Sequence, residues 1–71
     1  MLYVGGEKMS IGKKLRALRG NLSQKIAAER IGITKSALAM YERDERIPRD
    51  EVKIKIAEYY NESVQSIFFA P

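Results

Sequence analysis

Apolar residues recur along this chain at the three- and four-residue spacing that places side chains on one face of a helix. The first such run has Ile11, Leu15 and Leu18 at positions i, i+4 and i+7. Gly20 and Asn21 follow, and both tolerate the left-handed conformation that ends many helices. The pattern therefore predicts a first helix over residues 10–19.

Two more helices are predicted directly afterwards, with only Gly32 and Ile33 between them. Ser23 can cap a second helix over residues 24–31, and Thr34 can cap a third. The inward positions are Ala27, Ala28 and Ile31 in the second helix and Ala37, Leu38 and Tyr41 in the third. Helices joined by so short a turn cannot lie antiparallel, so they must cross steeply in a helix-turn-helix arrangement.

The last part of the chain predicts two further helices. Pro48 interrupts any helix that continues from the third, and a fourth helix is predicted over residues 50–60. Asn61 is suited to end it, and Ser63 can cap a last short helix that ends near Phe68. The inward positions are Val52, Ile56, Ala57 and Tyr60, followed by Val64, Ile67 and Phe68. The predicted fold is therefore all-α, with five helices in one compact domain.

Residues 1–9 differ from the rest because they contain two adjacent glycines and no helical period. We expect them to form a flexible N-terminal arm, or a strand, before a domain over residues 10–69, and Met9 is an alternative start. No apolar run is long enough to span a membrane. The first residues also lack the basic start and long apolar region of a signal peptide. We therefore expect a cytoplasmic protein that makes no membrane contact.

The chain contains neither histidine nor cysteine. This excludes zinc sites built from thiolates or imidazoles and nucleophiles activated by histidine. No set of acid, base and nucleophile can be assembled from the remaining residues. We therefore expect no enzymatic activity, no metal and no cofactor, and no small-molecule effector is evident.

The net charge of +4 is distributed unevenly along the chain. Residues 1–35 contain eight basic and two acidic side chains, whereas residues 36–71 contain five basic and seven acidic side chains. This asymmetry indicates a polyanionic partner for the first half, although basic helices can also be simply solvated. The outward face of the third helix favours a partner, because its small and flexible side chains suit close approach to another surface. Its members are Ser36, Ala39, Met40 and Arg43.

The sequence over residues 10–69 resembles the Cro/CI-type (Xre-like) helix-turn-helix family of phage and bacterial repressors. The resemblance rests on “LSQ”, “YER”, “IAEYY” and “SVQSIFF”, together with Ala28, Gly32, Ile33, Leu38 and Pro48. Its most specific part is the spacing from Gln24 to Tyr41. The resemblance implies a lambda-repressor-like five-helix domain that binds double-stranded DNA.

The resemblance also implies roles for individual residues. The third helix would enter the major groove, which is about 12 Å wide and admits one helix. The residues implied to face bases are Lys35, Ser36, Ala39 and Met40. The residues implied to contact phosphates are Ser23, Gln24, Arg43 and Arg46. The alternative for Gln24, Ser36 and Met40 is an exposed side chain without a contact, and Arg16, Arg19 and Arg30 are interpreted as solvated.

The chain departs from the family pattern at several positions. Asp44 and Glu45 stand where the family often has Gly and Lys. Acidic groups close to phosphates should weaken DNA binding unless neighbouring arginines offset them. Ile26 and Ala27 look exchanged, so that a small residue occupies the core position and an isoleucine is exposed.

These observations predict a transcriptional regulator, namely a repressor that binds an operator as a homodimer at the bacterial nucleoid. The alternative is a protein-interaction module, such as an antitoxin that uses the same fold. A monomer covers only a few base pairs, so specific binding needs two recognition helices. Phe69 is predicted to point outward and to form the dimer contact with Ile54, unless it folds back onto its own core.

Overall fold

The computed structural model describes residues 9–69, which form five helices and no strand. The helices are α1 (Ile11–Arg19), α2 (Gln24–Ile31), α3 (Lys35–Glu42), α4 (Asp50–Tyr60) and α5 (Gln65–Phe69), and α5 has π-type hydrogen bonding. The predicted all-α, five-helix architecture is confirmed. The predicted N-terminal arm lies outside the described residues except for Met9, which is exposed.

Hydroxyl side chains fix the start of four of these helices. Ser10, Ser23 and Thr34 each accept a hydrogen bond from the backbone N–H three residues later, at 3.1, 3.1 and 3.0 Å. Ser63 accepts one from the N–H of Ser66 at 3.0 Å, just before α5. A cap of this kind contributes about 1 kcal/mol to stability. The caps predicted at Ser23, Thr34 and Ser63 are confirmed.

Three helices are followed by a residue with a left-handed backbone. Gly32 (φ 95°) follows α2 and Asn61 (φ 57°) follows α4, both as predicted. Asp44 (φ 60°) lies beyond the end of α3, and the N–H of Glu45 donates to the carbonyl oxygen of Met40 at 2.9 Å. This arrangement is a Schellman motif, in which the left-handed residue is usually glycine. An aspartate therefore occupies a backbone conformation that most side chains avoid.

The start of α1 approaches the end of α3 very closely at Gly12. A Cβ atom at this position would lie 2.7 Å from the carbonyl carbon of Glu42, so only glycine fits without movement. The Gly12 N–H donates to Asp44 Oδ1 at 2.8 Å. This hydrogen bond is the main cause that lowers the pKa of Asp44 below its ordinary value. Gly12 and Asp44 together tie α1 to the end of α3.

The core receives buried side chains from every helix. Its members are Leu15, Ile31, Tyr41, Ile56, Ala57, Ile67 and Phe68. A smaller cluster of Ala27, Ala28 and Leu38 joins α2 to α3. Each of these side chains lies on the inward face that the sequence pattern predicts. Ile26 is exposed beside the buried Ala27, which confirms the predicted exchange.

Candidate nucleic-acid interface

The turn between α2 and α3 fixes how the two helices cross. The N–H groups of Gly32 and Ile33 both donate to the carbonyl oxygen of Ala28, at 2.9 and 3.0 Å. Ala28 and Leu38 are almost completely buried where the helices meet. The predicted helix-turn-helix arrangement is confirmed, and it leaves the outer face of α3 exposed.

The outer face of α3 borders an open concave surface of about 410 Å³, which we call the recognition groove. Its lining residues are Gln24, Lys35, Ser36, Ala39, Met40 and Arg43. The groove therefore brings together all the side chains predicted to face bases and two of those predicted to contact phosphates. Ser23 and Arg46 are exposed but do not line the groove. Ser23 precedes α2, and Arg46 lies in the loop between α3 and α4.

Gln24 is held by a buried network that was not predicted. The Glu42 carboxylate is 1% exposed and accepts hydrogen bonds from Arg19 Nε at 2.7 Å, Arg19 Nη2 at 2.9 Å and Gln24 Nε2 at 2.9 Å. Arg19 Nη1 also donates to the carbonyl oxygen of Leu22 at 2.8 Å. The expectation of a solvated Arg19 is wrong, because only 19% of its side chain is exposed. Glu42 thus links α1, α2 and α3.

The sequence does contain a signal for this network. Glu42 follows Tyr41 and lies four residues after Leu38, so helical spacing puts it on the inward face of α3. A carboxylate on that face needs a partner, because an unpaired buried charge is strongly unfavourable. Arg19 supplies that partner. The hydrogen bond to Glu42 raises the pKa of Arg19 above its ordinary value, so the guanidinium stays charged.

Arg43 and Glu45 form an ion pair just beyond α3. Arg43 Nε donates to Glu45 Oε2 at 2.9 Å, and Arg43 Nη2 donates to Glu45 Oε1 at 3.0 Å. Both side chains are more than half exposed. The hydrogen bond from Arg43 lowers the pKa of Glu45. One of the two unusual acidic groups is therefore paired with Arg43, whereas the other, Asp44, accepts the hydrogen bond from Gly12.

Phe69 and Ile54 lie together on another concave surface of about 300 Å³, which we call the terminal groove. Asp50, Lys53 and Val64 complete its lining. Phe69 is 65% exposed, so it does not fold back into the core of its own chain. Lys53 Nζ lies 4.8 Å from the centre of the Phe69 ring and 3.7 Å from Asp50 Oδ1. The terminal groove thus combines apolar surface with one charge of each sign.

Two other kinds of site are absent from residues 9–69. No group of acidic side chains in this range is arranged to hold a metal ion. None of its helices is both long enough and apolar enough to cross a membrane.

Two tightly joined helices, the second with an exposed outer face, define the helix-turn-helix class of DNA-binding domain. Residues 13–67 match the helix-turn-helix family. The chain belongs to this family, whose members are DNA-binding regulators and not enzymes.

One relative is the HTH-type transcriptional regulator ImmR of Bacillus subtilis (strain 168), which is 40% identical over 57 residues. The match covers 78% of this chain and 45% of ImmR, so the chain spans less than half the length of that relative. A solved structure with the same fold is the P22 c2 repressor protein in complex with synthetic operator 9T. The TM-score is 0.82 at 21% identity, with 90% of this chain and 100% of that chain covered. This likeness confirms the predicted repressor-like fold.

Proposed function

We propose that this chain is the DNA-binding domain of a transcriptional regulator that represses by occupying an operator as a homodimer. The observation that carries the proposal is the recognition groove, where the outward side chains of α3 lie beside Gln24 and Arg43. A helix fits the major groove, which is about 12 Å wide. Repression needs no activity beyond binding, because a bound protein occludes the promoter. We expect this action in the bacterial cytoplasm, at the nucleoid.

Base contacts are proposed for Lys35, Ser36, Ala39 and Met40. The Ser36 hydroxyl can donate or accept a hydrogen bond at a base edge. Ala39 and Met40 offer apolar surface to a thymine methyl group. Lys35 stands at the start of α3, where its ammonium group can donate to a guanine or to a phosphate.

Phosphate contacts are proposed beside the recognition groove. Ser23 and Gln24 lie at the N-terminus of α2, where backbone N–H groups without helical partners attract anions. Gln24 Nε2 already donates one N–H to Glu42, so its second amide N–H is the group that can donate to a phosphate oxygen. Arg46 follows α3, and the phosphate contact that the family resemblance implies for it is proposed here. The resemblance implies the same contact for Arg43, but the ion pair of Arg43 with Glu45 has no net charge, so no phosphate contact is proposed for Arg43.

Binding to duplexes selected from a random pool, measured by fluorescence anisotropy at several salt concentrations, tests this proposal. Each subunit is expected to neutralise about three to five phosphates, so the logarithm of the association constant should fall linearly with the logarithm of the salt concentration. Ser36→Ala and Met40→Ala should change the preference at particular base pairs by about 1 to 3 kcal/mol. Gln24→Ala should instead weaken binding to all sequences alike. Affinity that does not change with salt would contradict the proposal.

Lys35→Ala and Lys55→Ala form a matched pair for the same assay, because each removes one exposed lysine. Lys55 lies on α4 and lines neither the recognition groove nor the terminal groove. We expect Lys35→Ala to reduce affinity clearly more than Lys55→Ala does. Equal effects would indicate that net charge drives the binding and that the recognition groove does not.

The homodimer is proposed to form through the terminal groove. Phe69 and Ile54 expose apolar surface there, and such a patch commonly marks a protein interface. Lys53 and Asp50 place one positive and one negative charge beside this apolar patch. Two copies related by a two-fold axis present the same patch to each other, so each charge can pair with its opposite. The operator then has two half-sites about 34 to 36 Å apart on one side of the duplex.

Analytical ultracentrifugation of Phe69→Ala and Phe69→Glu tests this dimer contact. We expect both variants to lose the dimer and the affinity for a full operator, while the thermal unfolding of the monomer remains cooperative. Ile26→Ala is the control, because it removes another exposed apolar side chain, on α2. An unchanged dimer, or a Phe69→Ala chain that does not fold, would refute the contact.

A further inference from the structure

The ion pair between Arg43 and Glu45 lies at the edge of the recognition groove. Arg43 lines that groove, and two hydrogen bonds of 2.9 and 3.0 Å join it to the carboxylate of Glu45. Exposed ion pairs contribute little to stability, because water and salt screen both charges. Folding therefore gains little from this pair, and its position points to a role in binding.

The backbone fixes where Glu45 stands relative to α3. Its N–H donates to the carbonyl oxygen of Met40 at 2.9 Å in the Schellman motif that ends the helix. Met40 is itself a lining residue of the recognition groove. The backbone of Glu45 is thus anchored beside the groove, and from there its carboxylate accepts the two hydrogen bonds that orient the Arg43 guanidinium.

The pairing leaves a particular edge of the Arg43 guanidinium free. Of the five N–H groups in a guanidinium, the Nε group and one on Nη2 donate to Glu45. The remaining groups include one N–H on Nη1 and one on Nη2 that point in the same direction. This is the edge with which an arginine donates to both O6 and N7 of a guanine in the major groove.

A phosphate is a poor ligand for this ion pair. Phosphate binding gains its free energy from the release of counterions by a net positive charge, but Arg43 and Glu45 together are neutral. A base edge instead favours an arginine that is already oriented, because a free arginine side chain loses rotamer entropy when it is ordered.

We propose that Glu45 is a positioning residue that presents Arg43 to a guanine at one end of each half-site. Arg43 then reads a base instead of contacting the DNA backbone. The inference rests on the proposed operator binding, and it predicts that the recognition groove selects a G·C pair at one position of each half-site.

The test uses the full chain and the duplex that it selects from a random pool, with each G·C pair replaced in turn by A·T. We expect the parent protein to lose about 5- to 150-fold in affinity when one particular G·C pair is replaced. Arg43→Ala and Arg43→Lys should both abolish this discrimination, and Arg43→Lys should keep the salt dependence of the parent. Glu45→Gln should reduce the discrimination and make the slope of log affinity against log salt more negative by about one.

Glu51→Gln is the matched control, because it removes one exposed carboxylate from the first turn of α4. We expect it to leave the discrimination at the G·C pair unchanged. If Glu45→Gln behaves like Glu51→Gln, or if Arg43→Ala weakens all duplexes equally, Arg43 contacts the backbone and the inference is overturned. If the parent protein selects no sequence at all, the proposed operator binding fails and the inference fails with it.

Discussion

Removing one partner of the Arg19–Glu42 pair should destabilise the fold more than removing both. Glu42 is 1% exposed and Arg19 is 19% exposed, so a single substitution leaves a poorly hydrated charge without its counter-charge. Loss of one partner of a buried ion pair costs about 3 to 5 kcal/mol. Arg19→Met should lie at the upper end of this range, because the Glu42 carboxylate cannot reach water. Glu42→Met should lie at the lower end, because Arg19 is partly hydrated.

These losses are large beside the total stability of the domain. A chain of 71 residues with about 0.05 to 0.15 kcal/mol per residue has a free energy of unfolding of roughly 4 to 11 kcal/mol. Each single variant should therefore melt more than about 12 °C below the parent. The double variant, with methionine at both positions, should recover most of the loss, because no charge is then desolvated.

Urea unfolding followed by circular dichroism measures the free energies of this double-mutant cycle. We expect the loss in the double variant to be smaller than either single loss, which requires a coupling of at least about 3 kcal/mol. If Arg19→Met does not fold, a second cycle with Arg19→Lys and Glu42→Gln replaces it, because these side chains keep part of the hydrogen bonding. Additive losses, with a coupling below about 0.5 kcal/mol, would refute the reasoning.

Three further outcomes follow from single contacts. Gly12→Ala should lower the free energy of unfolding by at least about 2 kcal/mol, because its Cβ would clash with the Glu42 carbonyl; Gly32→Ala, where a Cβ meets no atom within 4 Å, should cost only about 1 kcal/mol from its left-handed backbone. The pKa of Asp44 is lowered in the folded state, so ionised Asp44 stabilises the fold above its unfolded pKa of about 3.9, and this stabilisation is lost as pH falls through the lower folded pKa. In urea unfolding, the free energy of unfolding of Asp44→Asn should therefore fall less steeply at acidic pH than that of the parent. Burial raises the pKa of Tyr60 to about 12, so the parent should lose stability as pH rises from the unfolded pKa of about 10 toward that value. Its hydroxyl has no hydrogen-bond partner among the described residues, so Tyr60→Phe should raise the melting temperature and reduce this alkaline loss, and a lower melting temperature would contradict this.

The helices and their faces could be predicted because their signals are local. Ser23 and Thr34 cap helices through bonds that reach only three residues along the chain. The turn between α2 and α3 depends on Gly32, which favours the left-handed backbone observed there. The recognition groove follows from the same helical spacing, because the residues of α3 that do not face the core of the domain must face outward.

The parts that could not be predicted depend on residues far apart in the chain. Arg19 and Glu42 are 23 positions apart, and Gly12 and Asp44 are 32 positions apart. No local pattern indicates which inward carboxylate meets which arginine. The left-handed backbone of Asp44 could not be predicted either, because an aspartate indicates a positive φ far less strongly than a glycine does.

The outer face of α3 takes no part in the buried clusters, and this has a consequence for how the domain can evolve. Leu38 and Tyr41 belong to the buried clusters, whereas Ser36, Ala39 and Met40 neither belong to them nor pack against them. Most substitutions away from a core change stability by less than about 0.5 kcal/mol, so these outer positions can diverge without approaching the stability threshold. Because we propose that these side chains contact bases, we expect that a lineage can acquire a new DNA target by exchanging a few of them, and that the outer face of a related regulator can be transplanted onto the same scaffold.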